Sequence, residues 1–261
     1  MASTSTNRMA VILAAGKGTR MKSELPKVAL SVAGKPMIQH VLENLKSLNL
    51  TKIAVVVGYR QEEVKSRIDL KEYPQVVFAE QTEQKGTAHA LLAAKEAIGD
   101  ESGTLLVTSG DMPLIKPETF EQLFQAQESQ DVAACVLSSV QPDPTGYGRL
   151  VRDADGFLER IVEEKDADEE TRKIKESNAG TYIFESPGIF EILTRIDSSN
   201  KQNEYYLPDA VQVYRGQNRK IGTLILNDTD QTLGANTVDE LASLEEKYNR
   251  FHTEQRAVSG S

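Results

Sequence analysis

Glycines and cations gather in one short stretch near the start of the chain. Gly16 and Gly18 stand among Lys17, Arg20, Lys22 and Lys27, four cations within residues 17–27. Glycine lets a backbone take positive φ and approach a ligand closely, so successive N–H groups can turn inward as an anion-binding nest. Cations beside such a nest are the chemistry of phosphate binding. Ala14 and Ala15 are small enough for a flat ring to lie against the backbone, and Pro26 stiffens the approach to Lys27. The spacing Gly16-Lys17-Gly18-Thr19-Arg20 fits neither the dinucleotide fingerprint, which needs a third glycine, nor the Walker loop. A plain surface loop is the competing reading.

Asp111 is the next group able to do chemistry. It follows the apolar run 104–107 through Ser109-Gly110, so its carboxylate is expected at the sheet edge that also carries the Gly16 loop. A hard carboxylate beside phosphates is a usual Mg²⁺ ligand; capping the turn before Pro113 is the alternative. Three later clusters, Gly146-Tyr147-Gly148-Arg149, Glu163-Glu164-Lys165 and Asn178-Ala179-Gly180, each sit where a strand meets a loop. That placement suits a polar pocket reading sugar hydroxyls and an amide, and it suits turn chemistry equally. Asn236, beside a helix start, reads first as a cap. His40, His89 and His252 have no zinc-site spacing.

These residues need a scaffold, and the hydrophobic pattern supplies one. Residues 9–15 form an unbroken apolar run, as expected of a central parallel strand buried on both faces. A helical stripe over 36–48 follows, and then strands over 53–57, 76–79 and 104–107 separated by helices over 61–68 and 87–98. This alternation predicts a mostly parallel sheet with right-handed crossovers. The second half changes character, with strands over 132–138, 148–151, 158–163, 181–184 and 221–226, a charged solvated helix over 166–175, and helices over 189–196, 207–214 and 238–248. The expectation is an α/β, Rossmann-like fold with helices on both faces and a small antiparallel extension over one edge of the sheet. Residues 1–8 read as a disordered extension, 9–236 as one domain, 237–250 as a closing helix and 251–261 as a loose tail.

Composition narrows the function classes. A chain of 261 residues can bury a substantial core, and its net charge of −9 argues against holding nucleic acid by its phosphates. An anionic ligand must then be met by a local basic loop. The sequence has no apolar run long enough to span a membrane, and its start lacks the apolar core of a secretion signal. The single cysteine, Cys135, lies in an apolar strand and reads as a buried residue. A cytoplasmic location is the simplest expectation.

Taken together, the motifs resemble a known family. Leu13-Ala14-Ala15-Gly16-Lys17-Gly18-Thr19-Arg20-Met21, followed by Leu25-Pro26-Lys27, resembles the signature of the sugar-phosphate nucleotidyltransferases. Gln81 with Gly86-Thr87-Ala88-His89-Ala90, Gly110-Asp111-Met112-Pro113-Leu114, Pro144-Thr145-Gly146-Tyr147-Gly148-Arg149, Ile161-Val162-Glu163 and Asn203-Glu204-Tyr205-Tyr206-Leu207 extend the likeness. They are similar to the uridylyltransferase domain of the bifunctional bacterial enzymes that make UDP-N-acetylglucosamine. The resemblance implies UTP and N-acetylglucosamine 1-phosphate as substrates, with UDP-N-acetylglucosamine and pyrophosphate as products. It places nucleotide contacts on Leu13, Ala14, Ala15, Gly16, Gly18, Gln81, Gly86 and Thr87, and the catalytic cations on Arg20 and Lys27. It places sugar contacts on Gly148, Glu163 and Asn178, and an Mg²⁺ pair on Asp111 and Asn236.

Two departures stand out. Ser109 occupies a position where some members carry tyrosine. Nothing after the closing helix resembles the hexapeptide-repeat β-helix of the bifunctional enzymes, so neither acetyl transfer nor the trimer built by that helix is expected of this chain. The alternatives are the same chemistry with another nucleotide or sugar, such as dTTP or UTP with glucose 1-phosphate, and a non-catalytic sugar-nucleotide-binding protein. A dinucleotide-dependent oxidoreductase is weakened by the missing third glycine.

Overall fold

The structure is a computed structural model describing residues 7–18, 21, 23–235 and 237–259, without the side chains of 252 and 254–259. Strand β1 (Arg8–Leu13) is apolar after its first residue. A two-residue hairpin, β2 (Ser31–Val32) with β3 (Lys35–Pro36), leads into α1 (Met37–Leu45). Then come β4 (Lys52–Val57), α2 (Gln61–Lys65), β5 (Val76–Glu80), α3 (Thr87–Ala93), α4 (Lys95–Ile98) and β6 (Gly103–Ser109). The chain continues through α5 (Pro117–Gln130), β7 (Ala134–Val140), β8 (Arg149–Arg152), β9 (Leu158–Val162), α6 (Glu169–Arg172) and β10 (Glu176–Ser186). It closes with α7 (Gly188–Leu193), α8 (Ala210–Gly216), β11 (Ile221–Leu226) and α9 (Val238–Ser259).

The main sheet runs β11-β7-β10-β6-β1-β4-β5. β1 lies between β4 and β6 and pairs in parallel with both, as its unbroken apolar run requires. Alternate residues of β1 point to opposite faces. Met9 and Val11 join a cluster with Leu91, Ile98, Phe190 and Tyr214, whereas Ala10 and Ile12 join one with Val41, Leu42, Phe120 and Phe124. Helices therefore cover both faces. Each fully buried aliphatic side chain contributes roughly 1.5–3 kcal/mol, so the strand that carries the Gly16 loop is among the most firmly held elements. α9 packs over the hairpin end of the molecule through Leu244, against Val32, Met37 and Leu114.

Several boundaries differ from the sequence reading. Arg8, assigned to a disordered extension, opens β1 and donates to Glu121 at 2.6 and 3.2 Å. Ile53–Val57 gains one residue at its start, and the helix expected over 87–98 is divided at Ala94. The charged segment 166–175 is helical only over Glu169–Arg172, with Asp168 accepting from the Thr171 N–H at 2.7 Å as its cap. The closing helix, expected to end near 250, continues to Ser259. α5 was absent from the sequence reading altogether. Its buried stripe of Phe120, Leu123, Phe124 and Gln127 is thin, and its remaining residues are mostly glutamine and glutamate.

The mostly parallel sheet with helices on both faces and a small antiparallel component is as expected, but that component does not lie over an edge strand. β10 runs for 11 residues, antiparallel to both β6 and β7, in the interior of the sheet. The β8–β9 hairpin hangs from the start of β10 through Ser177 and Arg149, so it extends an inner strand and not an edge strand. This arrangement carries Gly148, Glu163 and Asn178 to the same end of the sheet as Asp111.

Candidate active site

The Gly16 loop leaves β1 at its carboxyl end. Ala14 is tied down by its N–H to Val56 O at 2.9 Å and packs into the core, so it does not line the cleft. Leu13, Ala15 and Gly16 do, in a cavity of about 370 Å³ shared with Gln81, Gly86 and Thr87. The two loop glycines divide their roles. Gly18 has φ of +61°, and a Cβ there would lie 2.9 Å from Lys27 Cβ. Gly16 does not have positive φ, and a Cβ on it would meet no protein atom within 4 Å. Close packing thus explains Gly18 and leaves Gly16 without an internal constraint. Arg20, with Thr19 and Lys22, lies outside the described residues, as does Asn236.

Gln81 is buried at the end of β5. Its amide Nε2 lies 3.2 Å from Gly86 O and 3.0 Å from His89 Nδ1, which holds the side chain against the start of α3. Gly86 has φ of +110°, and a Cβ there would fall 2.5 Å from Tyr205 O and 2.7 Å from Tyr205 N. The neighbouring backbone explains this closeness: Ala88 N–H donates to Tyr205 O, and Tyr205 N–H to Lys85 O. Thr87 Oγ1 accepts the Leu207 N–H at 2.9 Å. The segment 203–207 is therefore docked on the first turn of α3, and through it Glu204 reaches the same cavity.

A second cavity of about 610 Å³ contains Lys27, Asp111, Gly148, Glu163 and Asn178. Ser109, the last residue of β6, lines both cavities, so the two are neighbours at the carboxyl end of β6. At the junction Lys27 forms an ion pair with Asp111, and the Ser109 hydroxyl donates to Asp111 Oδ1. Burial by itself raises the Asp111 pKa. The Lys27 ammonium and the hydrogen bonds from Lys27 and Ser109 outweigh it and hold the carboxyl below its ordinary value. Asp111 is thus an ionised carboxylate held in a partly buried cleft. Gly234 closes over it, since a Cβ there would stand 3.2 Å from Asp111 O.

Glu163 is the opposite case. Burial, followed by Asp209 and Asp166, pushes its carboxyl up to about 7, with Arg149 opposing them. Asp209 is itself pushed up to about 6 by burial and by Asp197 and Asp166. A Cβ on Gly148 would lie 3.0 Å from Glu163 Oε1, so the glycine makes room for that carboxyl. Arg149, grouped with the pocket in the sequence reading, is 2% exposed; it donates to Glu164 Oε2 at 2.7 Å and to Tyr147 O. It braces the wall and acts on Glu163 through its charge. Asn178 receives the Gly180 N–H on Oδ1 at 3.0 Å, and its own N–H donates to Gly148 O at 2.8 Å.

Tyr147, part of a cluster the sequence put forward for the pocket, lines it; sequence reasoning missed Thr145, Thr232, Gly234 and Glu240 as lining residues, along with Gln84 and Glu204. Thr145 stood in a quoted motif and Glu204 in another, so position next to a matched residue was the available signal. Gly234 and Glu240 arrive from the far end of the chain, and nothing local marks them.

Among the described residues no helix is long and apolar enough to cross a membrane, and no three His, Cys, Asp or Glu side chains gather as a metal-binding group. Comparison with known proteins then places the chain. It is 44% identical over 254 residues to the bifunctional protein GlmU of Oceanobacillus iheyensis, covering 97% of this chain and 55% of that protein. It is 45% identical over 232 residues to GlmU of Bacillus cytotoxicus, covering 88% and 50% respectively. The chain thus spans about half the length of the curated relatives it matches. A crystal structure of UDP-glucose pyrophosphorylase complexed with UDP-glucose superposes with a TM-score of 0.77 at 21% identity, covering 94% of this chain and 99% of that one. That likeness concerns the fold alone. Residues 10–176 match the family model of the MobA-like NTP transferase domain, and the chain belongs to that family.

Proposed function

We propose that this chain transfers a uridylyl group from UTP to N-acetylglucosamine 1-phosphate, giving UDP-N-acetylglucosamine and pyrophosphate. The observation that carries the reading is the junction at Ser109. There the cavity of Gly16, Gln81, Gly86 and Thr87 adjoins the cavity of Gly148, Glu163 and Asn178, which also holds the Lys27–Asp111 pair. A nucleotide in the first and a sugar phosphate in the second would bring two phosphates together beside Lys27. Similarity to the GlmU proteins supports the uridylyl and N-acetylglucosamine specificities.

A sugar phosphate oxygen is already a competent nucleophile at neutral pH, so the protein need supply only alignment and charge neutralisation. In this reading Leu13, Ala15 and Gly16 hold the base and ribose, Gln81 reads the base, and Lys27 and Arg20 stabilise the α-phosphate and the departing pyrophosphate. The residues present suit a divalent cation such as Mg²⁺. Asp111 is an ionised hard donor, and a cation completed by phosphate oxygens and water needs only one or two protein ligands. Asp111 and Asn236 would hold it, and when bound it would neutralise charge on the reacting phosphates.

A panel of UTP, dTTP, ATP and GTP against N-acetylglucosamine 1-phosphate and glucose 1-phosphate tests the reading. The highest kcat/KM is expected for UTP with N-acetylglucosamine 1-phosphate. A preference of about tenfold or more for another pair overturns the substrate assignment. Binding of the same ligands without turnover by any pair points to a non-catalytic protein.

A further inference from the structure

β10 breaks its register against β7 between Asn178 and Tyr182, and Gly180 within that break has φ of +68°. A bulge of this kind re-aims the side chains that flank it. Here it brings Tyr182 back toward Asn178, so that Asn178 Nδ2 donates to Tyr182 Oη at 2.6 Å. At the other end of the same amide, Oδ1 accepts the Gly180 N–H. The bulge is itself pinned by Thr181, whose Oγ1 lies 3.0 Å from Thr108 Oγ1 on β6. Tyr182 is buried, its ring stacked on Phe184 with centroids 5.6 Å apart, and it does not line the cleft that Asn178 lines.

A side-chain amide has two N–H donors and two acceptor lone pairs. Tyr182 takes one donor and Gly180 one lone pair, leaving one donor and one acceptor. We infer that Tyr182 is a positioning residue for sugar recognition: its hydroxyl fixes the Asn178 amide in the orientation that offers one donor and one acceptor to the sugar phosphate. Such a pair complements a hydroxyl or an acetamido group, each of which both donates and accepts. The inference rests on the proposed role of Asn178 as a sugar contact.

Tyr182→Phe removes the hydroxyl and keeps the stacked ring, so the fold is retained. Steady-state kinetics with UTP and N-acetylglucosamine 1-phosphate should show a rise of about 3- to 10-fold in KM for the sugar phosphate, the range for losing one buried hydrogen bond. KM for UTP should stay within about twofold, because the nucleotide pocket is separate. Asn178→Ala should raise the sugar KM further, and adding Tyr182→Phe to it should change nothing more. A merely structural tyrosine would instead affect both KM values alike, or add its full effect in the Asn178→Ala background, and either result overturns the inference. If Asn178→Ala raises the sugar KM and Tyr182→Phe leaves it unchanged, the inference fails while the reading of Asn178 stands. If Asn178→Ala itself leaves the sugar KM unchanged, the sugar-contact reading fails and the inference with it.

Discussion

Glu163 should cost the fold stability at neutral pH, and the cost can be worked out from its surroundings. Its carboxyl lies among Asp209, Asp166 and Glu204, with Arg149 as the opposing charge, and it is pushed from 4.5 up to about 7. The folded chain therefore binds this proton more tightly than the unfolded chain does. By linkage, the group favours folding least above pH 7 and imposes almost no penalty below pH 4.5. At about 1.4 kcal/mol per pH unit, the interval sets an upper bound of roughly 3 kcal/mol at pH 8, against under about 1 kcal/mol at pH 5. Glu163→Gln, which cannot ionise, should recover most of that difference. Urea unfolding at the two pH values, followed by circular dichroism, reads it directly. We expect the variant to be more stable than the parent at pH 8 by about 1–3 kcal/mol and to be within about 1 kcal/mol of it at pH 5. The same variant should bind sugar phosphate less well, the usual exchange of stability for function at a working site. An equal stability change at both pH values would refute the reasoning, because it would mean that Glu163 titrates alike in the folded and unfolded chain.

Other consequences are simpler to check. Asp111→Ala should lower turnover by about 10²-fold or more, a loss comparable with removing one charge-stabilising group, while far-ultraviolet circular dichroism stays unchanged. Gly86→Ala should destabilise the chain by about 1–3 kcal/mol in thermal unfolding, since φ is +110° and the new methyl would meet the Tyr205 backbone at 2.5 Å. Cys135 is buried, and burial pushes its thiol up to about 12. The native protein should therefore resist thiol-specific labelling at pH 8, and reaction should begin only with unfolding; rapid labelling of native protein would contradict its place in the core.

What could be seen in the chain beforehand follows from where each signal is stored. The runs 9–15, 53–57 and 104–107 are apolar because parallel central strands are buried on both faces, so β1, β4 and β6 were legible from local composition. α5 was not, because only one narrow face of Pro117–Gln130 is buried and the rest faces solvent with polar residues. The interior position of β10 was hidden as well. Its pairing with β6 and β7 is a long-range choice, and the bulge at Gly180 interrupts the alternation that would have revealed its full length. In the site, the motifs indicated Lys27 and Asp111 separately, and the structure adds that they form a pair with Ser109. Both loop glycines permit a left-handed backbone, but only Gly18 uses it. Permission in a sequence is weaker than need in a fold.

The central claim is transfer of the nucleotidyl group by attack at the α-phosphorus, and one labelling experiment addresses it. The purified chain is incubated with Mg²⁺, N-acetylglucosamine 1-phosphate and UTP radiolabelled at either its α- or its γ-phosphate. Attack at the α-phosphorus sends α-label into UDP-N-acetylglucosamine and γ-label into pyrophosphate, in equal amounts. Label from the γ-phosphate appearing on the sugar, or no transfer of α-label by correctly folded protein, would contradict it.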